Sequence, residues 1–335
     1  MRNLNAHRRE GAALLAVLWL TAALSAIAFS VASTVRSETE RSSTDSDGMQ
    51  AYYLACGAID RMLLYDEWGP AFPGSNGKPI LEDNIRFLPL NFPTGFVLGE
   101  IIPEASKLNV NTASPRELTN LLLALGVDPA RAALITAAIL DWRRAAPGGS
   151  FSRFDQLYLS LTPSFRARHA SFQEIEELLA VDGVTPDLFY GSYTRGALGE
   201  LVPHAGLRDC LSVYGTASQL DVNTVEPAVM MAVGISPSAA AAIAALRRVA
   251  PIRNLGQLSP FRDGSAGFGR LGFERGTAAT LRATAQLRLP NGQLSDVRRS
   301  VSALVEFLTP ESPLYQPGAQ PYQILRWYDD AVAVQ

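Results

Sequence analysis

"HRREGAALLAVLWLTAALSAIAFSVASTV", residues 7–35, decides how the rest of the chain is held. Its charges end at Glu10, and none returns until Arg36. As a helix rising 1.5 Å per residue, the uncharged run 12–35 is about 36 Å long, enough to cross a hydrocarbon core of roughly 30 Å. A secretory signal has an apolar region of only about 7–15 residues, so the length favours a retained anchor; cleavage near Ser25 to Ala32 is the competing reading. Arg2, Arg8 and Arg9 precede the run, and by the positive-inside rule they stay cytoplasmic while everything past Arg36 crosses.

The helical pattern continues beyond the apolar run. After the polar stretch "RSETERSSTDSDG", 36–48, the spacing of Met49, Tyr52, Cys56, Ile59 and Leu63 predicts one apolar face of an amphipathic helix.

Of the formal net charge of −3, the first eleven residues carry about +2, which leaves an acidic body. Such a body argues against a large phosphate-binding surface, which needs clustered Lys and Arg. Cys56 and Cys210 are the only cysteines, too few for a disulfide framework or a cysteine-rich zinc site; one bridge between them stays open.

The body contains a repeat. "KLNVNTASPRELTNLLLALGVDPARAALI", 107–135, aligns with "QLDVNTVEPAVMMAVGISPSAAAAI", 219–243, across a four-residue gap. Asn111, Thr112, Pro115 and Gly126 match Asn223, Thr224, Pro227 and Gly234. The tails align as "RRAAP...FDQL" at 143–157 with "RRVAP...LGQL" at 247–258. Each copy predicts a short helix, a tight turn and a second helix. Thr112 and Thr224 are placed to cap, Pro115 and Pro227 to open the first helix, Gly126 and Gly234 to end it left-handed, and Pro129 and Pro237 to open the second.

This pattern resembles the helix-hairpin-helix motif, which grips DNA backbones through amides beside two glycines. The second glycine place holds Asp128 in one copy and Ser236 in the other, so a folding unit reused as scaffold is expected, and no nucleic-acid partner. A membrane-anchored DNA-binding protein is the alternative reading.

No HExxH, GxSxG or Walker motif is present, and only His7, His169 and His204 exist. Gly267 to Gly272 matches G-x-G-x-x-G but follows a loop-like "SPFRDGSA" rather than a strand. No enzymatic activity is expected. "GFVLGEII", 95–102, reads as a strand. "TLRATAQLRLPNGQLSDVRRSVSALVEF", 280–307, reads as a hairpin turning at Asn291-Gly292, with Leu281, Ala283, Ala285 and Leu287 facing in on one strand and Val301, Ala303, Val305 and Phe307 on the next. "YQILRWY", 322–328, supplies a third strand.

The basic leader ending in glycine and the long apolar helix resemble a type IV prepilin-like N-terminus. With the paired "LNVNTASP" and "LDVNTVEP" and with "DGVTPDLFYG", 182–191, the chain is similar to the type II secretion K family of minor pseudopilins. That resemblance implies an α+β fold: a pilin-like long N-terminal helix and small antiparallel sheet, with a large inserted α-helical domain containing helix-hairpin-helix-like repeats. It implies a leader 1–11, a transmembrane helix 12–35, its amphipathic continuation 36–68 and a strand and loop region 69–106. The inserted domain then divides as 107–218 and 219–276, and the closing strands are 277–335.

It further implies cleavage by a prepilin peptidase between Gly11 and Ala12, with N-methylation of Ala12. Ala16 stands where most pseudopilins have glutamate, and the K family lacks that glutamate. The implied role is a subunit at the tip of an inner-membrane pseudopilus, nucleating and capping the filament that exports folded proteins, with its bulk periplasmic. The implied partners are the I, J and H minor pseudopilins and the major pseudopilin. The family often has an acidic calcium-binding stretch beginning Asp-Trp. Here Asp141-Trp142 is followed by "RRAAPGG", so Asp141 and the later Asp155 are the calcium candidates left, and no other cofactor is implied.

Overall fold

The computed structural model describes the chain except residues 1–3, 72, 75–76, 78–79, 82–84, 147–150, 197–198, 216–218, 275, 309, 311, 317 and 330–335, and no side chains at 4–13 or 70. One helix, α1, runs unbroken over Leu4–Trp68. Strands β1 (Phe87–Phe92) and β2 (Gly95–Pro103) follow. The chain then builds a separate, largely helical unit and returns as β9 (Ala278–Arg288), β10 (Leu294–Phe307) and β11 (Tyr322–Tyr328). These five strands form one antiparallel sheet in the order β1-β2-β9-β10-β11. The helical unit is therefore an insertion between β2 and β9, strands that are neighbours in the sheet but far apart in sequence.

The C-terminal half of α1 lies on one face of this sheet. Leu281, Ala283 and Ala285 of β9, and Val301, Ala303 and Val305 of β10, are buried against it; Phe307 is half-buried. The helix's buried face differs from the one its larger residues predict. Ile59 and Leu63 are buried, but Tyr52 and Cys56 are half-buried and Met49 is 57% exposed. The stripe in contact adds Ala51, Ala55, Ala58 and Met62 to Ile59 and Leu63. Alanines let helix and sheet approach closely, so the contact is made where the helix is thinnest rather than where it is most apolar. Ala55→Leu pushes a larger side chain into a site with no exposed surface. We expect a loss of about 1–3 kcal/mol in denaturant unfolding.

The inserted unit has its own core and consists of two versions of one chain path. The first contains β3 (Leu108–Asn109), α2 (Pro115–Ala124), α3 (Pro129–Arg143), α4 (Arg153–Ser160), α5 (Pro186–Tyr190), β4 (Ser192–Arg195), β5 (Leu201–His204), α6 (Leu207–Cys210) and β6 (Leu211–Ser212). The second contains β7 (Leu220–Asp221), α7 (Pro227–Ala232), α8 (Pro237–Val249) and β8 (Leu271–Gly272). Each version closes on a short parallel pair, β3 with β6 and β7 with β8. The four-residue gap in the alignment is one turn of helix, since α2 has 10 residues and α7 has 6.

Candidate functional site: the exposed helix and the doubled helical unit

Described side chains from Leu14 to Ser46 on α1 are all exposed, including Leu14, Trp19, Ile27 and Phe29. This is the one described helix long and apolar enough to cross a membrane. An exposed apolar helix of this size needs lipid or other helices around it. Ala16 lies on this exposed stretch. Gly11 and Ala12 fall within the span of α1, and the side-chain surroundings there lie outside the described residues.

In the doubled unit, Asn111 and Asn223 act as peptide mimics. Asn111 Nδ2 donates to the Phe172 carbonyl at 2.9 Å while its Oδ1 accepts from the Phe172 amide at 2.7 Å. Asn223 makes the same pair with Ile252, at 3.0 and 2.7 Å. Arg143 donates to the carbonyls of Val110 and Ala113, and Arg247 donates to those of Val222 and Val225, the matching residues. Each arginine comes from the end of the second helix and fastens the turn that starts the first. Burial pushes the Arg247 guanidinium down to about 10. The doubled arginines were visible in the aligned tails, but their role was not.

Other assignments are corrected by the geometry. Thr112 and Thr224 do not cap. Ser114 caps α2 through a reciprocal box with Glu117, a signature legible as Ser-x-x-Glu. α7 begins after Glu226 with no side-chain cap, and the Thr224 hydroxyl donates to Asp221. Pro115 and Pro227 sit at the first helical positions; Gly126 and Gly234 are left-handed, at φ 84° and 97°.

The tails also pair differently. The counterpart of "LGQL", 255–258, is "IEEL", 175–178. Each opens a 3-10 helix whose third residue reaches back to accept from the amide before the helix, Glu177 from Glu174 and Gln257 from Asn254. Leu178 and Leu258 are both buried behind it. "FDQL" belongs instead to an addition between Arg143 and Phe172 that the second version lacks. A further addition is the exposed hairpin β4–β5.

Asp128 and Ser236 cap α3 and α8. Asp128 accepts from the amides of Ala130 and Arg131, and Ser236 from that of Ala239. The amides that a phosphate would need are thus engaged by the protein's own side chains. Gly267 to Gly272 forms a 3-10 turn ending in β8. Cys56 and Cys210 are both free thiols, the second fully buried in the helical core with its ionisation pushed well up by desolvation.

Asp141 and Asp155 do come together, around Ser152. Asp141 Oδ2 accepts from the Ser152 hydroxyl at 2.8 Å, and Asp155 Oδ2 from the Ser152 amide at 3.0 Å and from His169 Nε2 at 2.8 Å. Asp155 is sealed from solvent; burial alone would raise its ionisation, but the Ser152 amide and His169 hold it below the usual carboxylate range. Calcium takes six to eight oxygens, several of them commonly water or carboxylate. Asp155 Oδ1 is left unbonded, but two carboxylates, each already tied through its other oxygen, supply too few oxygens for it.

Between the helical unit and the face of the sheet opposite α1 lies a cleft of about 760 Å³. Charged pairs cross beside it. Glu100 of β2 binds Arg282 of β9 at 3.0 Å and Arg86 at 2.8 Å, and Arg86 approaches Glu226 of the helical unit at 3.8 Å. Burial raises Glu226 above the usual carboxylate range. On the other rim Arg326 of β11 pairs with Glu174, and burial pushes the Tyr328 hydroxyl, 3.4 Å from Glu176, up to about 12.

Residues 98–190 match the family model for type II secretion system protein K, first domain. The type II secretion system protein K of Pectobacterium carotovorum subsp. carotovorum is 29% identical over 205 residues, 54% of this chain and 60% of that protein. That of Klebsiella pneumoniae is 24% identical over 241 residues, 66% of this chain and 68% of that protein. The alignment thus spans less than two thirds of the Pectobacterium protein. One chain of the GspK-GspI-GspJ complex of the enterotoxigenic Escherichia coli type 2 secretion system shares the fold, with a TM-score of 0.53 at 15% identity, covering 87% of this chain and all of that one. The family model and the two relatives point to the family that the sequence resembles, and the structural likeness shows the fold.

Proposed function

We propose, from the protein K match over residues 98–190, that this chain is a minor pseudopilin of a type II secretion system, seated at the tip of the pseudopilus. The observation that carries the tip position is the insertion between β2 and β9. It adds a second core to a pilin-like helix and sheet without breaking the sheet. A subunit carrying such bulk has room at an end of a helical stack and not within it, and so nucleates and caps. Its two helical versions serve as helix-hairpin-helix-like scaffold. Partners are the I and J minor pseudopilins, then the H type and the major subunit. No catalysis is assigned to it.

The exposed stretch of α1 anchors the chain in the inner membrane, with the basic leader inside and the bulk periplasmic. A prepilin peptidase cuts after Gly11 and methylates Ala12. A carboxylate in the bilayer costs about 2.5–3.5 kcal/mol without a partner. In other pseudopilins that partner is a neighbouring subunit's charged N-terminus; a tip subunit with no such N-terminus to neutralise can do without the glutamate, which suits Ala16. N-terminal sequencing of the membrane-bound protein is expected to begin at Ala12; a start near residue 30, or at Met1 with the peptidase present, sinks the assignment. Ala16→Glu is expected to leave folding intact and to reduce tip assembly, read as co-purification with the I and J partners. Unchanged co-purification and secretion would reject the positional argument. Salt-sensitive DNA binding by the full chain would favour the nucleic-acid reading instead.

A further inference from the structure

His169 sits where three oxygens converge. Its Nδ1 lies 3.2 Å from the carbonyl of Asp141 and 3.2 Å from that of Arg144, and its Nε2 lies 2.8 Å from Asp155 Oδ2. Carbonyls can only accept, and an ionised carboxylate can only accept, so both ring nitrogens must donate. A ring that donates from both nitrogens is an imidazolium. The carbonyls come from the C-terminal end of α3, where a positive charge is favoured by the helix dipole. The His169 side chain is only 12% exposed and that of Asp155 is closed off. His169 is also the one non-glycine residue with positive φ, 49°, among the described residues. A residue with a side chain rarely adopts that conformation unless the surroundings enforce it.

We propose that His169 is a built-in cation that closes the addition between Arg143 and Phe172, in the place of a bound metal ion. Two main-chain carbonyls and a carboxylate are the kinds of ligand calcium uses, yet the ring fills the space between them. "RRAAPGGSFSRF", 143–154, contributes no acidic side chain that could complete a metal shell. Among the described residues no group of three or more His, Cys, Asp or Glu could hold a metal ion. The ring reaches from the end of α3 to the start of α4, so it clasps the base of the addition. The aromatic cluster of Trp142, Tyr158, Phe165 and Phe172 packs beside that clasp. The second version has no such addition and needs no such clasp, because Ile252 follows directly on the end of α8. The proposal concerns how this unit stays closed and does not depend on the filament role.

The test uses the full chain in detergent. Nitrogen NMR of the imidazoles at neutral pH, with His169 assigned by its loss in His169→Ala, is expected to show both ring nitrogens protonated. Chelation by EGTA is expected to leave limited proteolysis of residues 141–172 unchanged, and calorimetric titration with calcium to show no binding. His169→Ala is expected to open that segment to protease while peptides from 220–272 keep their protection. His169→Gln, which cannot donate in both directions with a charge, is expected to behave like the alanine variant. A neutral His169 ring, faster cleavage in EGTA, or stoichiometric calcium binding by the unaltered chain would each overturn the proposal. The outcome for the tip assignment is read separately, from the N-terminal sequence.

Discussion

Asn223→Ala is expected to destabilise the second helical version by about 2–6 kcal/mol, because it strips partners from two buried main-chain groups at once. Asn223 is 4% exposed, and both of its bonds to Ile252 are buried. Removing it strips the partner from both the amide and the carbonyl of Ile252, a residue that is 1% exposed. Each such orphan costs about 1–3 kcal/mol. Asn111→Ala cuts the equivalent bonds to Phe172, but those are only partly buried, so water can take over and the loss is expected to be smaller. The contrast matters because the chain has two cores and a single unfolding midpoint would blur them. Hydrogen exchange resolves it: peptides from 220–272 should lose protection in Asn223→Ala and those from 108–212 should keep theirs. Equal loss in both, or none, means that the asparagines do not hold their versions closed.

That asparagine pair also shows what a sequence reveals and what it withholds. Asn111 and Asn223 stood out because the same letter recurred beside Thr and before Pro. Their chemistry was not legible, since Phe172 lies 61 residues along and Ile252 only 29. Pairing by letters matched "FDQL" to "LGQL" for the same reason: an addition of unknown length breaks any alignment that relies on similarity. The hydrogen-bonding pattern ignores length and pairs Glu174 with Asn254. Strands β2, β9, β10 and β11 were legible from alternation and from Asn291-Gly292, because each has one apolar face. Strand β1 carries no such signal, since Pro89 and Asn91 interrupt its pattern. The buried face of α1 lies about one position from the one that hydrophobic periodicity predicts, because periodicity weighs methionine and tyrosine above alanine and close packing reverses that order. His169 offered no signal at all. A lone histidine gains meaning only from the oxygens folded around it.

The face of the sheet away from α1 carries the other large effect. Glu100 and Arg282 are direct cross-strand partners, and Arg86 reaches the same carboxylate from just before β1. Glu100 is 4% exposed, so its charge cannot be replaced by water. Glu100→Gln keeps the shape but takes the anion from the Arg282 guanidinium, whose Nε is already unbonded, and leaves Arg86 with Glu226 at 3.8 Å. Breaking a buried pair from one side costs about 3–5 kcal/mol, whereas replacing both members with apolar residues is often neutral. Urea unfolding of Glu100→Gln is therefore expected to show a loss of that size, and the double variant Glu100→Met with Arg282→Met is expected to recover much of it. The location decides what else changes. Arg86 is also the residue that approaches Glu226 of the helical unit, so releasing it from Glu100 alters the charge beside the cleft between the two cores. Co-purification with the proposed I and J partners should then fall together with stability in Glu100→Gln and return in the double variant only if the cleft keeps its shape. If the single variant is as stable as the parent, the ladder is a solvated ornament and the two cores are held together by the Arg326 and Tyr328 contacts on the opposite rim.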